Sequence, residues 1–94
     1  MKKNYRIKAK VWKWPGYAGW HFVTLDKKLF EEIRKVYNRG FVKIVAKIGK
    51  TSWNTSLFPH LESKTYLLSI KKLVRKKEDI WERDTVVINF THRR

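Results

Sequence analysis

Phe22-Val23-Thr24-Leu25-Asp26-Lys27-Lys28-Leu29 and Leu67-Leu68-Ser69-Ile70-Lys71-Lys72-Leu73-Val74 read as two copies of one pattern. In each, an apolar extended run passes through a hydroxyl residue and one more apolar residue into a short helix. The first copy leads through a turn to Phe41–Ile48, and the second through a polar turn to Thr85–Thr91. Each is strand, helix, strand. A strand buries one face only by pairing with others, so two such units are expected to close on each other.

The segments around this repeat extend it. Tyr5-Arg6-Ile7-Lys8-Ala9-Lys10-Val11 alternates apolar and basic at period two, which predicts a half-buried strand. Residues 12–19 are expected to form a loop, because Pro15-Gly16 marks a turn and Gly19 allows a second bend. A strand over Trp20–Leu25 runs into Asp26 at a helix N-cap, followed by Leu29, Phe30, Ile33, Val36 and Tyr37 at helical spacing. Asn38-Arg39-Gly40 is expected to end that helix, with Gly40 in a left-handed position. Phe41–Ile48 and Thr51–Phe58 form a hairpin about Gly49-Lys50, and Pro59 is expected to stop the second strand. Thr65–Ile70 is a strand, Lys71–Lys77 a short basic helix and Thr85–Thr91 the last strand. The expected fold is a mainly β, single-domain barrel of about six strands and two short helices, with an internal pseudo-repeat over residues 1–94.

Composition narrows the chemistry. The chain has 94 residues, no Cys, and 14 aromatics: five Trp, five Phe and four Tyr. Without Cys it has no disulfide, cysteine nucleophile or thiolate metal site. A chain this short buries only about two-thirds of the surface its unfolded form exposes, so few elements share one core. No apolar run approaches the ~18 residues of a membrane helix, and the N-terminus is not a signal sequence, so an intracellular, cytoplasmic protein without a membrane partner is expected. The formal charge is +15, from 23 Lys and Arg against 8 Asp and Glu, well above the ~2–8 usual for a small soluble domain. The acids cluster at Asp26, Glu31 and Glu32, at Glu62, and between Glu78 and Asp84. A field of this sign attracts polyanions, although a solvated basic surface is the plain alternative.

The words Trp14-Pro15-Gly16, Gly19-Trp20-His21-Phe22-Val23-Thr24-Leu25, Ile48-Gly49-Lys50-Thr51-Ser52-Trp53, Thr55-Ser56-Leu57-Phe58-Pro59, Tyr66-Leu67-Leu68 and Val74-Arg75-Lys76-Lys77-Glu78 occur in that order. In them the chain, roughly residues 5–90, resembles the family of domains of unknown function numbered nineteen-oh-five. The resemblance implies a compact barrel related to the double-split barrels of AbrB- and MazE-like transcription factors, with both halves in one chain and hence a monomer. It implies no activity. The second repeat unit resembles the swapped-hairpin motif of those factors, with Ser69 where the motif carries Pro and Arg83 where it carries Gly. Val42-Lys43 stands where the family tends to small residues.

Several motifs carry little. Gly49-Lys50-Thr51 mimics the end of a phosphate-binding loop, but Ile44 occupies the place of its first glycine and a strand follows. Asn54-Thr55-Ser56 and Asn89-Phe90-Thr91 are formal glycosylation sequons, of no consequence without secretion. His21, His60 and His92 lie far apart with few carboxylates near, so neither a metal site nor a cofactor is expected.

Two functional readings remain. The first is non-catalytic nucleic-acid binding, DNA or RNA. Lys10, Lys13, Lys43 and Lys47, with Lys71, Lys72, Arg75, Lys76 and Lys77 of the basic helix, would contact phosphates, and Trp14 and Tyr17 would stack on bases. The second is a small-ligand or protein-interaction pocket built from Trp20, His21, Ser52, Trp53 and Ser56. In it His21 with Ser56 is weighed as a dyad; the plain structural alternatives are a hydrogen-bonded His21 and a barrel plugged by Trp20 and Trp53. The first reading is favoured, and no enzymatic activity is expected.

Overall fold

The computed structural model describes residues 3–16, 19–37 and 40–93. Seven strands and two helices follow one another as β1 (Asn4–Lys10), β2 (Trp12–Lys13), β3 (His21–Thr24), α1 (Lys27–Val36), β4 (Val42–Ile48), β5 (Thr51–His60), β6 (Thr65–Ser69), α2 (Lys72–Glu78) and β7 (Thr85–His92). The strands form one antiparallel sheet in the order β1-β7-β4-β5-β6-β3-β2. It curls strongly into a half-barrel, short of the closed barrel expected. The two repeat units pair strand for strand. β3 of the first lies against β6 of the second through Phe22↔Ser69, Val23↔Leu68 and Thr24↔Leu67. β4 lies against β7 from Ile44↔His92 to Lys47↔Asn89.

Cross-strand register explains the core, because residues opposite one another share a face. One inner row runs Val42–Leu57–Leu68–Val23 across four strands, and every member is buried. A second runs Tyr5–Phe90–Ala46–Trp53. There the Tyr5 and Phe90 rings stack at 5.1 Å, and the small Ala46 leaves room for Trp53. Fully burying a side chain such as Leu57 or Leu68 contributes about 1.5–3 kcal/mol, and Leu68→Ala would cost about 2–5 kcal/mol with its cavity.

The helices close the core. Asp26 caps α1 as expected, its Oδ1 accepting from the Leu29 N–H at 2.8 Å. Phe30 and Ile33 turn inward, and the Phe30 ring meets Tyr66 at 4.8 Å. α2 buries Val74 and ends at Asp79, a left-handed C-cap whose N–H returns to the Arg75 carbonyl. Its last residue, Glu78, accepts from Thr51 Oγ1 at 2.5 Å. That carboxylate lies against Gly49, where a Cβ would collide with it and the backbone takes φ +56°. The positive φ is what calls for glycine at the hairpin turn, since the Glu78 carboxylate is the end of a flexible side chain and could swing away.

Four local expectations are corrected. Trp12–Lys13 is a short strand, because the extended N-terminal segment continues past Val11 and finds a new partner in β3. β5 does not stop at Pro59 but pairs through Pro59↔Tyr66 to His60↔Thr65. β4 begins only at Val42, opposite Leu57, so beyond that point β5 has one open side where the missing N–H costs nothing. Gly40 is not the left-handed cap, since α1 already ends at Val36 with Tyr37 as C-cap; Asn38 and Arg39 lie outside the described residues. Trp53 is buried as expected of a plug, but Trp20 is 52% exposed.

The turn before β7 holds the N-terminal strand. Asp84 N–H returns to the Trp81 carbonyl at 3.0 Å, and the Trp81 N–H donates to Asp84 Oδ2 at 2.8 Å. Arg83 sits at the third position of that turn with φ +78°, a conformation glycine adopts freely and an L-residue does not. Arg83→Gly is therefore expected to stabilise the protein by about 1 kcal/mol, read as a higher urea midpoint at unchanged slope; a lower midpoint would show that the Arg83 side chain holds the turn.

Tyr66 is fully buried, and its hydroxyl makes no hydrogen bond among the described residues. Burial pushes the Tyr66 phenol up, against a smaller opposing pull from Arg34, and burial likewise raises Tyr5. A phenol whose pKa is higher in the folded chain stabilises fully below its unfolded value, near pH 10, and that contribution is lost as pH rises through the folded value. Alkaline unfolding is expected to begin above about pH 10, and Tyr66→Phe to delay it. At neutral pH the same change should be neutral or stabilising by up to about 1 kcal/mol, since it deletes an unpaired buried group. A loss of more than that in thermal melts would contradict the assignment.

Candidate nucleic-acid interface

The N-terminal segment carries the outer face of the sheet on its even positions. Arg6, Lys8 and Lys10 are exposed, and each lies opposite Asn89, Val87 and Thr85 of β7 in turn. Two residues on, Trp12 lies opposite Phe22. The Trp14 N–H then donates to the Trp20 carbonyl at 2.8 Å, extending that ladder. One alternating stretch thus passes from cations to aromatic rings on a single face.

Neighbouring strands widen both halves. Lys47 joins Arg6 across Asn89, and the row continues to Ser52. Lys43 faces Ser56 one row system away on β4 and β5. All eight acids lie in helices and loops, so the ionic residues of the strands are entirely basic. The aromatic half is contiguous. Trp12 touches Trp14 and Phe22, with centroids 5.9 and 5.2 Å apart, and Trp20 stacks on Phe22 at 6.1 Å. Phe22 meets Phe58 at 6.4 Å, and Phe58 meets Phe41 at 5.0 Å. Phe22 is buried beneath this chain, whereas Trp14 and Phe41 are 47% and 68% exposed. Trp12 Nε1 donates to Thr24 Oγ1 at 2.9 Å, which fixes its ring. An open aromatic surface beside ordered cations offers stacking and phosphate contacts together.

The proposed phosphate contacts divide between two surfaces. Lys10, Lys43 and Lys47 stand on the outer sheet face, Lys43 two residues along the chain from Phe41. Lys13 lies opposite His21 and, with Lys72, Arg75 and Lys76, lines a groove against α2. Lys71 is the N-cap of α2 and Lys77 lies exposed in its last turn. Tyr17 lies outside the described residues.

The alternative pocket is not assembled. Ser52 and Ser56 face out with Lys47 and Lys43, Trp53 points into the core, and Trp20 joins the outer aromatic chain. Alternation along β5 separates Trp53 from its serine neighbours, so proximity in sequence became opposition across the sheet. The serine that lines a cavity with His21 is Ser69, whose Oγ is 3.0 Å from Thr55 Oγ1, while His21 Nδ1 lies 2.7 Å from the Gly19 carbonyl.

Arg6, Lys8, Trp12, Phe22, Phe41 and Phe58 belong to the outer face but were not singled out from the sequence. The period-two alternation ran on through Trp12 to Trp14 and carried the signal for the first three. Phe41 and Phe58 needed the register of β4 and β5. No curated protein matches the chain. Residues 8–89 match the family described as Domain of unknown function (DUF1905), and with most of its length so covered the chain belongs to that family.

Proposed function

We propose that the outer sheet face binds single-stranded nucleic acid without catalysing a reaction on it. The observation that carries this reading is the continuity of Arg6, Lys8, Lys10, Lys43 and Lys47 with the aromatic chain from Trp14 to Phe41. The cations supply sequence-independent attraction to phosphates. The rings supply stacking, which only unpaired bases can use. A duplex would leave the rings without partners, so a single strand of DNA or RNA fits both halves.

The fold reading goes with it. Two strand–helix–strand units that pair β3 to β6 and β4 to β7, and a left-handed Arg83 where a swapped hairpin carries glycine, support a single-chain relative of the double-split barrels. With both halves supplied by one chain, the binding species is a monomer in the cytoplasm, free of any membrane.

Binding to a mixed-sequence labelled oligonucleotide should fall with salt on a log–log slope of about −3 to −4, for five contacts to a single strand. Lys43→Glu with Lys47→Glu should lower the slope by about 1–2 and weaken binding to all sequences alike. Trp14→Ala should weaken single-strand binding by about 1–3 kcal/mol and leave duplex binding unchanged. Affinity that is independent of salt, or indifferent to both sets of changes, would overturn the proposal.

A further inference from the structure

The α2 flank holds a second cationic region that the outer face does not use. Two contiguous cavities, of about 250 and 550 Å³, share His21, Lys72 and Arg75 as common walls. Trp20 lines one and Trp81 the other. Lys71 adds charge to the first, and Lys13 and Lys76 to the second. The only carboxylates among the lining residues are Asp79 and Glu82, both in the cavity that Trp81 lines, and Asp79 Oδ1 already accepts from Trp81 Nε1 at 2.8 Å.

Two of the shared groups are held by one nitrogen each. Arg75 Nε donates to the Ile70 carbonyl at 3.2 Å, which fixes the guanidinium plane and leaves its terminal nitrogens for the groove. His21 Nδ1 lies 2.7 Å from the Gly19 carbonyl, and a carbonyl only accepts, so Nδ1 carries a proton. The free ring nitrogen is then Nε2, an acceptor in the neutral ring and a donor in the imidazolium. Burial also pushes the Arg75 guanidinium down from its ordinary value, which an incoming anion would offset.

We propose that this groove binds a phosphate monoester, with Arg75, Lys72 and the imidazolium of His21 donating to its terminal oxygens. A fixed guanidinium, a mobile ammonium and an imidazolium suit a dianion with three free oxygens better than the monoanionic diester of a chain interior. The inference is independent of the sheet-face reading, since none of its three donors, Arg75, Lys72 and His21, carries that reading.

The test is titration of the full chain with inorganic phosphate at constant ionic strength, followed by calorimetry and by nitrogen-15 NMR of the histidine rings. Saturable binding is expected, with the His21 Nε2 resonance shifting as phosphate is added. His21→Gln and Lys72→Gln should each weaken it about tenfold, the effect of one charge-assisted hydrogen bond, while Lys35→Gln, an exposed change on α1, should not. Lys72 is exposed, so its variant keeps the test valid if the His21 variant misfolds. Absence of saturable binding, equal binding of chloride, or binding that survives Lys72→Gln with an unchanged His21 ring would overturn the proposal. A 5′-phosphorylated oligonucleotide that outcompetes its 5′-hydroxyl twin for this groove would identify a strand end as the source. Equal competition, with phosphate still bound, would identify a small free ester.

Discussion

The backbone of Val11 is the constraint on which the sheet depends. Asn4–Lys10 pair with β7 at one edge, and Trp12–Lys13 pair with β3 at the other. Between them Val11 donates its N–H to the Asp84 carbonyl and accepts the Arg83 N–H, both at 2.8 Å. Its side chain is buried. A single segment can serve both edges only if the sheet is strongly curled, so the half-barrel follows from this change of partner. The unpaired flank of β1 is left beside α1, where Lys3 and Glu32 form an exposed ion pair across the gap. Such a pair is worth little in water, and the inward-facing Phe30 and Ile33 do the holding.

The same segment distributes the surface chemistry. Alternation is conserved through the change of partner, because Val11 stays extended and inward. Arg6, Lys8, Lys10, Trp12 and Trp14 therefore remain on one face although their neighbours change from β7 to β3. With the acids confined to helices and loops, no strand carries a carboxylate, and at the β1 edge Arg6 and Lys8 share a cavity with Asp26, Glu31 and Glu32. Stacking and charge are adjacent for a geometric reason: the segment crosses from the basic edge of the sheet to its aromatic edge.

The turn that holds Val11 is also a strained one. Arg83 takes a left-handed conformation, and Asp79, four residues earlier, does so as the cap of α2. The connection between α2 and β7 thus contains two sharp reversals within a few residues. They bring the Arg83 and Asp84 backbone groups into line with Val11, and they place Trp81 over the groove that His21 and α2 share. Residues that look like an ordinary polar loop in the sequence fix both the N-terminal strand and the second cationic region.

Much of this was legible in the residues, for stated reasons. Period-two alternation marked β1, the Asp26 cap marked the start of α1, and Gly49-Lys50 marked the hairpin that a Glu78 carboxylate now packs against. The repeat of strand, helix and strand anticipated that the two units pair with each other. Other features depended on neighbours that no local pattern names. Pro59 stayed in a strand because β4 begins late, Trp20 came to the surface because β2 captured its flank, and Ser52 parted from Trp53 because alternation put them on opposite faces. The sequence by itself determined the elements and the sign of the charge, since propensity, capping and ionisation are properties of residues and their near neighbours. Only the tertiary structure decided which cations stand together and beside which rings, because that is set by strand register and sheet curl, and register is fixed by burying one inner face as a whole.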